Sequence, residues 1–278
     1  MKTGFVGIIG RPNVGKSTLL NAILGEKIAI TTEKPQTTRN AIRGIYTHYS
    51  DDELPEDLQM IFIDTPGIHR PRTKLGSYMT DAAIGTLKEV DAIIFIVDDK
   101  LSDGPGDKYI VDLLDDVVTP KILVTNKIDK MQPDEFAEIY KEYEDLGLFE
   151  EIIGVSAKEG THVENVIKEV AQFMEEGPMY FPDDMITEHP ERFVVSEIIR
   201  EKILMYLQDE VPHGVAVEIE QYKEEEKITK IHAVIYCEKK SHKGMIIGKG
   251  GRKLKGIGKS ARKKSRYCWG PRFIWNCG

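Results

Sequence analysis

Acidic residues are missing from the last forty positions: Lys239 to Gly278 holds 13 Lys and Arg and no Asp or Glu. Of the 38 basic and 46 acidic residues in the chain, the 238 residues before that segment carry 25 and 46, so the net charge of −8 divides into an acidic body and a strongly basic end. Such segregation points to a polyanion as partner of the C-terminal part. Cysteine is scarce as well. Cys237, Cys268 and Cys277 are too few and too scattered for a disulfide framework or a four-ligand zinc site, and read as reduced thiols. No apolar run approaches the roughly 20 residues that span a bilayer, and Met1-Lys2-Thr3 leads into a strand without an apolar leader. A soluble, cytoplasmic chain is expected. Its 278 residues suffice for about two domains, each with its own core.

What is present begins with residues 4–25. Phe5, Val6, Ile8 and Ile9 form a short apolar run suited to a buried parallel strand, and Lys16 to Leu24 is a helix pattern stopped by Gly25. Between them lies Gly10-Arg11-Pro12-Asn13-Val14-Gly15-Lys16-Ser17-Thr18. Four residues between the glycines let successive backbone N–H groups wrap a phosphate, and the following helix adds its positive end. Lys16 has the reach for β- and γ-phosphates, and the Ser17 hydroxyl suits Mg²⁺.

Along the chain, Glu26 to Asn40 reads as a loop, Ala41–Tyr49 and Leu58–Ile63 as a hairpin, and Asp91–Asp98, Lys121–Val124 and Glu151–Val155 as further strands. Helices are expected over 73–90, 106–117, 133–146 and 163–174. This alternation predicts an α/β fold, a doubly wound sheet, mostly parallel with one antiparallel hairpin. The first domain is expected over residues 1–176, the Pro- and Gly-rich stretch 177–190 as linker, and a second domain over 191–278.

Several strand ends carry chemistry. Asn126-Lys127-x-Asp129 places an acceptor-only carboxylate where guanine offers two adjacent donors, its ring N1–H and its amino group. Asn126 is expected to brace the loops, the stem of Lys127 to cover the base, and Ser156-Ala157-Lys158 to close the pocket. Asp64 and Thr38 complete a magnesium arrangement with Ser17. In Asp64-Thr65-Pro66-Gly67, Gly67 offers its N–H to a γ-phosphate. The residue after it is Ile68, where a Ras-like site has a glutamine that orients water, so slow intrinsic hydrolysis is expected. Asn13 inside the phosphate loop points to a monovalent cation, K⁺, in the place an arginine finger would fill. Lys16, Thr38, Gly67 and Asn13 are therefore the candidate catalytic groups, with GTP/GDP and Mg²⁺ as ligands.

Further on, Phe193 to Leu204 is an amphipathic helix, Val215–Tyr222 and Ile228–Cys237 are strand-like, and Gly248-Lys249-Gly250-Gly251-Arg252-Lys253 sits in the acid-free segment. Two glycines bracketing a short basic turn let a nucleic-acid backbone approach closely, the signature of a KH domain.

Taken in order, Gly10 to Ser17, Pro35-Gln36-Thr37-Thr38-Arg39, Asp64 to Gly67, Asn126 to Asp129 and Ser156 to Lys158 resemble the five guanine-nucleotide motifs of the Era GTPases. The resemblance covers nearly the whole chain. It implies a C-terminal α+β type II KH domain, contact with small-subunit ribosomal RNA near its 3′ end, and a role in assembly of the small ribosomal subunit. It also selects Thr38 over Thr37 as the magnesium ligand and agrees with Ile68. The tail departs from the pattern: the last helix is expected to stop near Ser265, and Arg272 to Asn276 to form at most a short edge strand, giving an altered or truncated terminus and a less stable module. A monomer is expected, with an anionic membrane surface as a second partner for the basic end. Two rival readings are an RNA-binding protein that uses nucleotide only structurally and an adenine-nucleotide ATPase or kinase; Asp129 disfavours the second.

Overall fold

The computed structural model describes residues 1–32, 41–69, 74–207, 214–225, 228–269 and 273–277. Two compact units are formed, one from Met1–Ala29 and Thr38–Glu188, the other built on His189–Gly278. The first unit runs β1 (Lys2–Gly10), α1 (Lys16–Leu24), β2 (Ile42–His48), β3 (Leu58–Asp64), α2 (Lys74–Thr86), β4 (Ala92–Val97), α3 (Pro105–Leu114), β5 (Lys121–Asn126), α4 (Pro133–Glu144), β6 (Glu151–Val155), α5 (Val163–Ala171) and a two-residue β7 (Glu175–Glu176).

Among the described residues these strands make one seven-stranded sheet in the order β2-β3-β1-β4-β5-β6, with β7 on the N-terminal end of β1. Only β2 against β3 and β7 against β1 are antiparallel. Every residue of β3, β4 and β5 is buried, because helices cover both faces. That is why these strands read as mostly apolar runs instead of alternating ones. The α5 stripe Val163, Val166, Ile167 and Val170 is buried at helical spacing, roughly 2 kcal/mol of apolar burial for each large side chain. The chain leaves β1 for β3 on one side and returns to β4 on the other, so the carboxyl end of β1 is a switch point where a ligand crevice opens.

Of the stretch 177–190 expected as the linker, residues 177–188 pack on the first unit. Gln59, fully buried in β3, donates from Nε2 to Phe181 O at 2.8 Å and Thr47 Oγ1 at 3.1 Å. Its Oε1 accepts from the N–H groups of Tyr180 at 2.7 Å and Phe181 at 2.9 Å. Ile45 N donates to Ile186 O at 2.9 Å and Thr187 Oγ1 to Arg43 O at 2.7 Å. The segment thereby occupies backbone groups of the edge strand β2, which would otherwise be open to pairing with another chain. Composition marked the Gly and Pro residues; the Gln59 amide and the edge strand's unpaired groups decide where they lie.

The second unit runs α6 (Glu191–Tyr206), β8 (Val215–Glu225), β9 (Ile228–Cys237), α7 (Lys240–Ile247), α8 (Arg252–Trp269) and β10 (Phe273–Cys277). Its sheet has the order β10-β9-β8, antiparallel between β8 and β9 and parallel between β9 and β10. Val195, Ile199, Ile203, Ile231, Ala233 and Ile257 form the centre of its core. The tail corrects the sequence reading at one point. The last helix continues past Ser265 to Trp269, because its backbone needs no apolar period to propagate. Phe273–Cys277 pairs along its length with Thr229–Ala233, so β9 gains a partner on its second edge. No helix among the described residues is long and apolar enough to cross a membrane.

Candidate functional site

The phosphate-type loop leaves β1 at Gly10, whose φ is 151°, and enters α1 after Gly15, whose φ is 109°. A Cβ on Gly10 would lie 2.5 Å from Ile96 O, and one on Gly15 would collide with Asn126 Nδ2. Both positions therefore need glycine for conformation and for space. Between them Val14 is buried, Pro12 half-buried and Asn13 exposed, with Asn13 in the left-handed region at φ 69°. Lys16 opens α1 and is only 6% exposed. Its Nζ donates to Gly10 O at 3.1 Å and Arg11 O at 2.8 Å. Burial, opposed by the attraction of Asp64, pushes its pKa down to about 8.

Ser17 Oγ donates to Asp64 Oδ2 at 2.5 Å. Asp64 is the buried last residue of β3, set opposite Ile8 by the parallel register. One hydroxyl and one carboxylate form an oxygen-only donor set, which fits Mg²⁺, an ion that keeps water and phosphate oxygens as its other ligands. The loop after Asp64 is fastened to the phosphate loop. Thr65 Oγ1 donates to Ile8 O at 2.8 Å and Ile68 N to Gly10 O at 3.0 Å. A Cβ on Gly67 would meet Pro12 N at 2.7 Å; Pro66 is buried and Thr18 half-buried nearby in α1. Ile68 is fully buried in the core, so it packs and does not address solvent. Thr37, Thr38, Arg39 and the rest of the expected switch at 35–39 lie outside the described residues.

Asn126, at the end of β5 and 3% exposed, ties three loops together. Its Nδ2 donates to Val14 O at 2.7 Å, and its Oδ1 accepts from Lys127 N at 2.8 Å and Ala157 N at 3.0 Å. Lys127 has φ 69° and its Nζ donates to Asn13 O at 3.0 Å. Asp129 Oδ1 accepts from Ser156 Oγ at 2.6 Å, and this hydrogen bond is the main cause holding the Asp129 pKa below the ordinary range. Ala157 is buried, while Lys158 is exposed and paired with Glu159 at 2.8 Å. An ionised carboxylate has the acceptor pattern that a ring N–H and an adjacent amino group require.

Sequence reading missed the carboxylates of Asp98 and Asp107. Asp107, in the first turn of α3, is fully buried with Oδ2 2.7 Å from Arg11 Nε. Burial outweighs the attraction of Arg11 and pushes its pKa up to about 6. The folded pKa exceeds the ordinary 3.8, so the cost of the buried charge is present above pH 6 and disappears on acidification. Lowering pH from 7 to 4.5 is therefore expected to favour wild type over Asp107→Asn by about 2 kcal/mol in urea unfolding. A constant difference between the two would show that Asp107 ionises normally.

In the second unit, Gly248, Gly250 and Gly251 all have positive φ, at 68°, 61° and 74°. They turn α7 into α8 and leave Lys249, Arg252 and Lys253 exposed at the start of α8, with Arg252 Nε donating to Lys249 O at 3.3 Å.

The family model "50S ribosome-binding GTPase" matches residues 5–127, and "KH domain" matches residues 210–268. The chain is 60% identical to the GTPase Era of Alkaliphilus oremlandii over 94% of its own length and 87% of that protein. The chain belongs to the Era family of GTPases. The Era of Clostridioides difficile is 56% identical over the same shares. A crystal structure of Era in complex with MgGDPNP and nucleotides 1506–1542 of 16S ribosomal RNA matches all of this chain and 92% of that one, at 36% identity and a TM-score of 0.91. A variant of Aquifex aeolicus Era bound to GDP and AlF4⁻ matches all of this chain and 93% of that one, at 36% identity and a TM-score of 0.88. As an Era-family member the protein is a GTPase, with a P-loop GTPase part and a KH part. A GTPase acts on a guanine nucleotide, which sets aside the adenine reading.

Proposed function

We propose that this protein is a GTP-driven switch whose KH domain grips the 3′ region of small-subunit ribosomal RNA during assembly of the small subunit. Supporting it above all is the presence in one chain of Asp129, aligned by Ser156 beside the phosphate loop, and a left-handed glycine turn in the acid-free segment. The solved Era complex with MgGDPNP and 16S RNA supports the same pairing of ligands. In this reading residues 1–176 are the GTP-binding domain, 177–190 the connection, and 191–278 the RNA-binding domain.

Gly10 to Thr18 cradle the phosphates, with Lys16 supplying the buried cation. Ser17, Asp64 and Thr38 would hold Mg²⁺, which would supply neutralisation of the phosphate charge. Gly67 N–H orients the γ-phosphate side, while Asn126, Lys127, Asp129 and Ser156 to Lys158 hold the base. Asn13 acts with K⁺. Gly248 to Lys253 admit the RNA backbone, and phosphate contacts make the affinity salt-dependent. The protein works as a monomer in the cytoplasm, with the basic end also able to meet anionic membrane.

One experiment tests the switch. RNA spanning the 3′ segment is titrated with protein loaded with GDP or with a non-hydrolysable GTP analogue, and turnover is compared in potassium and sodium salts. Tighter RNA binding in the triphosphate state and faster turnover in potassium are expected. Equal RNA affinity in both states would remove the switch; equal rates would remove the cation from Asn13.

A further inference from the structure

Asp98 follows directly on β4 and belongs to none of the nucleotide motifs. Its two carboxylate oxygens hold cations from two different loops. Oδ1 lies 3.1 Å from Arg11 Nη2 in the phosphate loop, and Oδ2 pairs with Lys127 Nζ in the base loop. We propose that Asp98 is a positioning residue that couples the grip on the phosphates to recognition of the base. The inference rests on the guanine-nucleotide reading of the site.

Both cations are constrained from elsewhere, so the carboxylate sits between two defined positions. Arg11 is anchored through Nε to the buried Asp107 at 2.7 Å. Its stem lies on the start of α3, where a Cβ on Gly106 would meet Arg11 Cδ at 2.7 Å. The carbonyl of the same Arg11 accepts from Lys16 Nζ at 2.8 Å. On the other side, Lys127 also donates to Asn13 O at 3.0 Å, so its ammonium is shared between Asp98 and the phosphate loop. The Asp98 side chain is 19% exposed, and those of Arg11 and Lys127 are 26% and 35% exposed. A pair that is mostly shielded is screened little by salt.

The consequence is energetic coupling. With Asp98 present, a shift of Arg11 changes the best position for Lys127, whose stem lies against the base, and the reverse holds. With Asp98 neutral, two cations face one anion, Asp107, which pairs with Arg11 and, among the described residues, not with Lys127. The loops then respond to ligand separately. Groups that share one ionic partner are non-additive when mutated, whereas unlinked groups add.

The test is a set of cycles on the full chain, read as GDP affinity by calorimetry in magnesium buffer. Asp98→Asn is expected to weaken GDP about tenfold, with Asp98→Glu recovering part of the loss and the melting temperature of the ligand-free protein unchanged. Arg11→Gln and Lys127→Met are expected to be non-additive by threefold or more in the native background and additive in Asp98→Asn. Additivity in the native background overturns the coupling. So does an Asp98→Asn variant that melts earlier yet binds GDP as wild type does, because that outcome makes Asp98 a stability residue only. Wild-type protein that takes up ATP and GTP equally would sink the guanine reading itself, a distinguishable failure.

Discussion

Replacing Asp129 by Asn is expected to weaken GTP by 10²- to 10⁴-fold and to raise affinity for xanthosine triphosphate. An ionised carboxylate accepts two donors from guanine, and charge-assisted hydrogen bonds are worth about 1.5–3 kcal/mol each. Xanthine carries a carbonyl in place of the amino group, so it presents an acceptor that repels Asp129 and suits an amide donor. Ser156 Oγ, 2.6 Å from Asp129 Oδ1, decides which way the new amide turns. Its hydroxyl donates to the Asn oxygen, which leaves the NH₂ facing the base. Competition between the two nucleotides for wild type and variant reads the switch directly. A variant that loses GTP without gaining xanthosine triphosphate would mean that Ser156 does not hold the amide in that sense.

The second large effect concerns Lys16. Lys16→Met is expected to lower GTP turnover by at least 10²- to 10³-fold, the loss typical of removing a preorganised group that stabilises developing negative charge. The same change should stabilise the ligand-free protein at neutral pH. Lys16 is 6% exposed and its pKa falls from 10.5 to about 8 because burial disfavours the ammonium. A folded pKa below the unfolded one means that the unfolded chain binds more protons between these values. The penalty is therefore fully present below pH 8, about 3 kcal/mol, and vanishes as pH rises to 10.5. Loss of the bonds to Gly10 O and Arg11 O offsets part of the gain, so about 1–2 kcal/mol is expected at pH 7. Urea unfolding at pH 7 and 10 checks both sign and window. A less stable Lys16→Met at pH 7 would show that the two carbonyl bonds outweigh the buried charge.

Both effects express one design. In the proposed reading a phosphate-binding cation is kept in place before ligand arrives, at a cost in stability, and a base-reading carboxylate, ionised at neutral pH, is held in orientation by the Ser156 hydroxyl. Preorganisation of this kind places strain on the free protein and spares the complex the cost of ordering.

Much of this was legible in the sequence, for physical reasons. Gly10 and Gly15 are demanded by backbone conformation, and in the proposed reading Lys16 and Ser17 are demanded by the reach to phosphate and metal and Asn126 to Asp129 by the donor pattern of guanine. Each of these is a local requirement, so spacing along the chain carries it. Strand and helix alternation likewise reports the layered sheet, since apolar periodicity is a local consequence of which face is buried. Ion pairs between distant segments left no such trace. Asp98 and Asp107 look like ordinary turn and helix-start acids until the fold brings Arg11 and Lys127 to Asp98 across 87 and 29 positions of sequence and sets the same Arg11 against Asp107. Gln59 reads as one polar residue in a buried strand until residues 180 and 181 supply partners for its amide. The length of α8 and the pairing of β10 with β9 depend on backbone hydrogen bonds that residue pattern does not encode. Which chemistry the loops can perform follows from residue type and spacing; how those loops are held to one another follows from tertiary contacts, because a charge or an amide acquires its energy from a partner that chain order does not name.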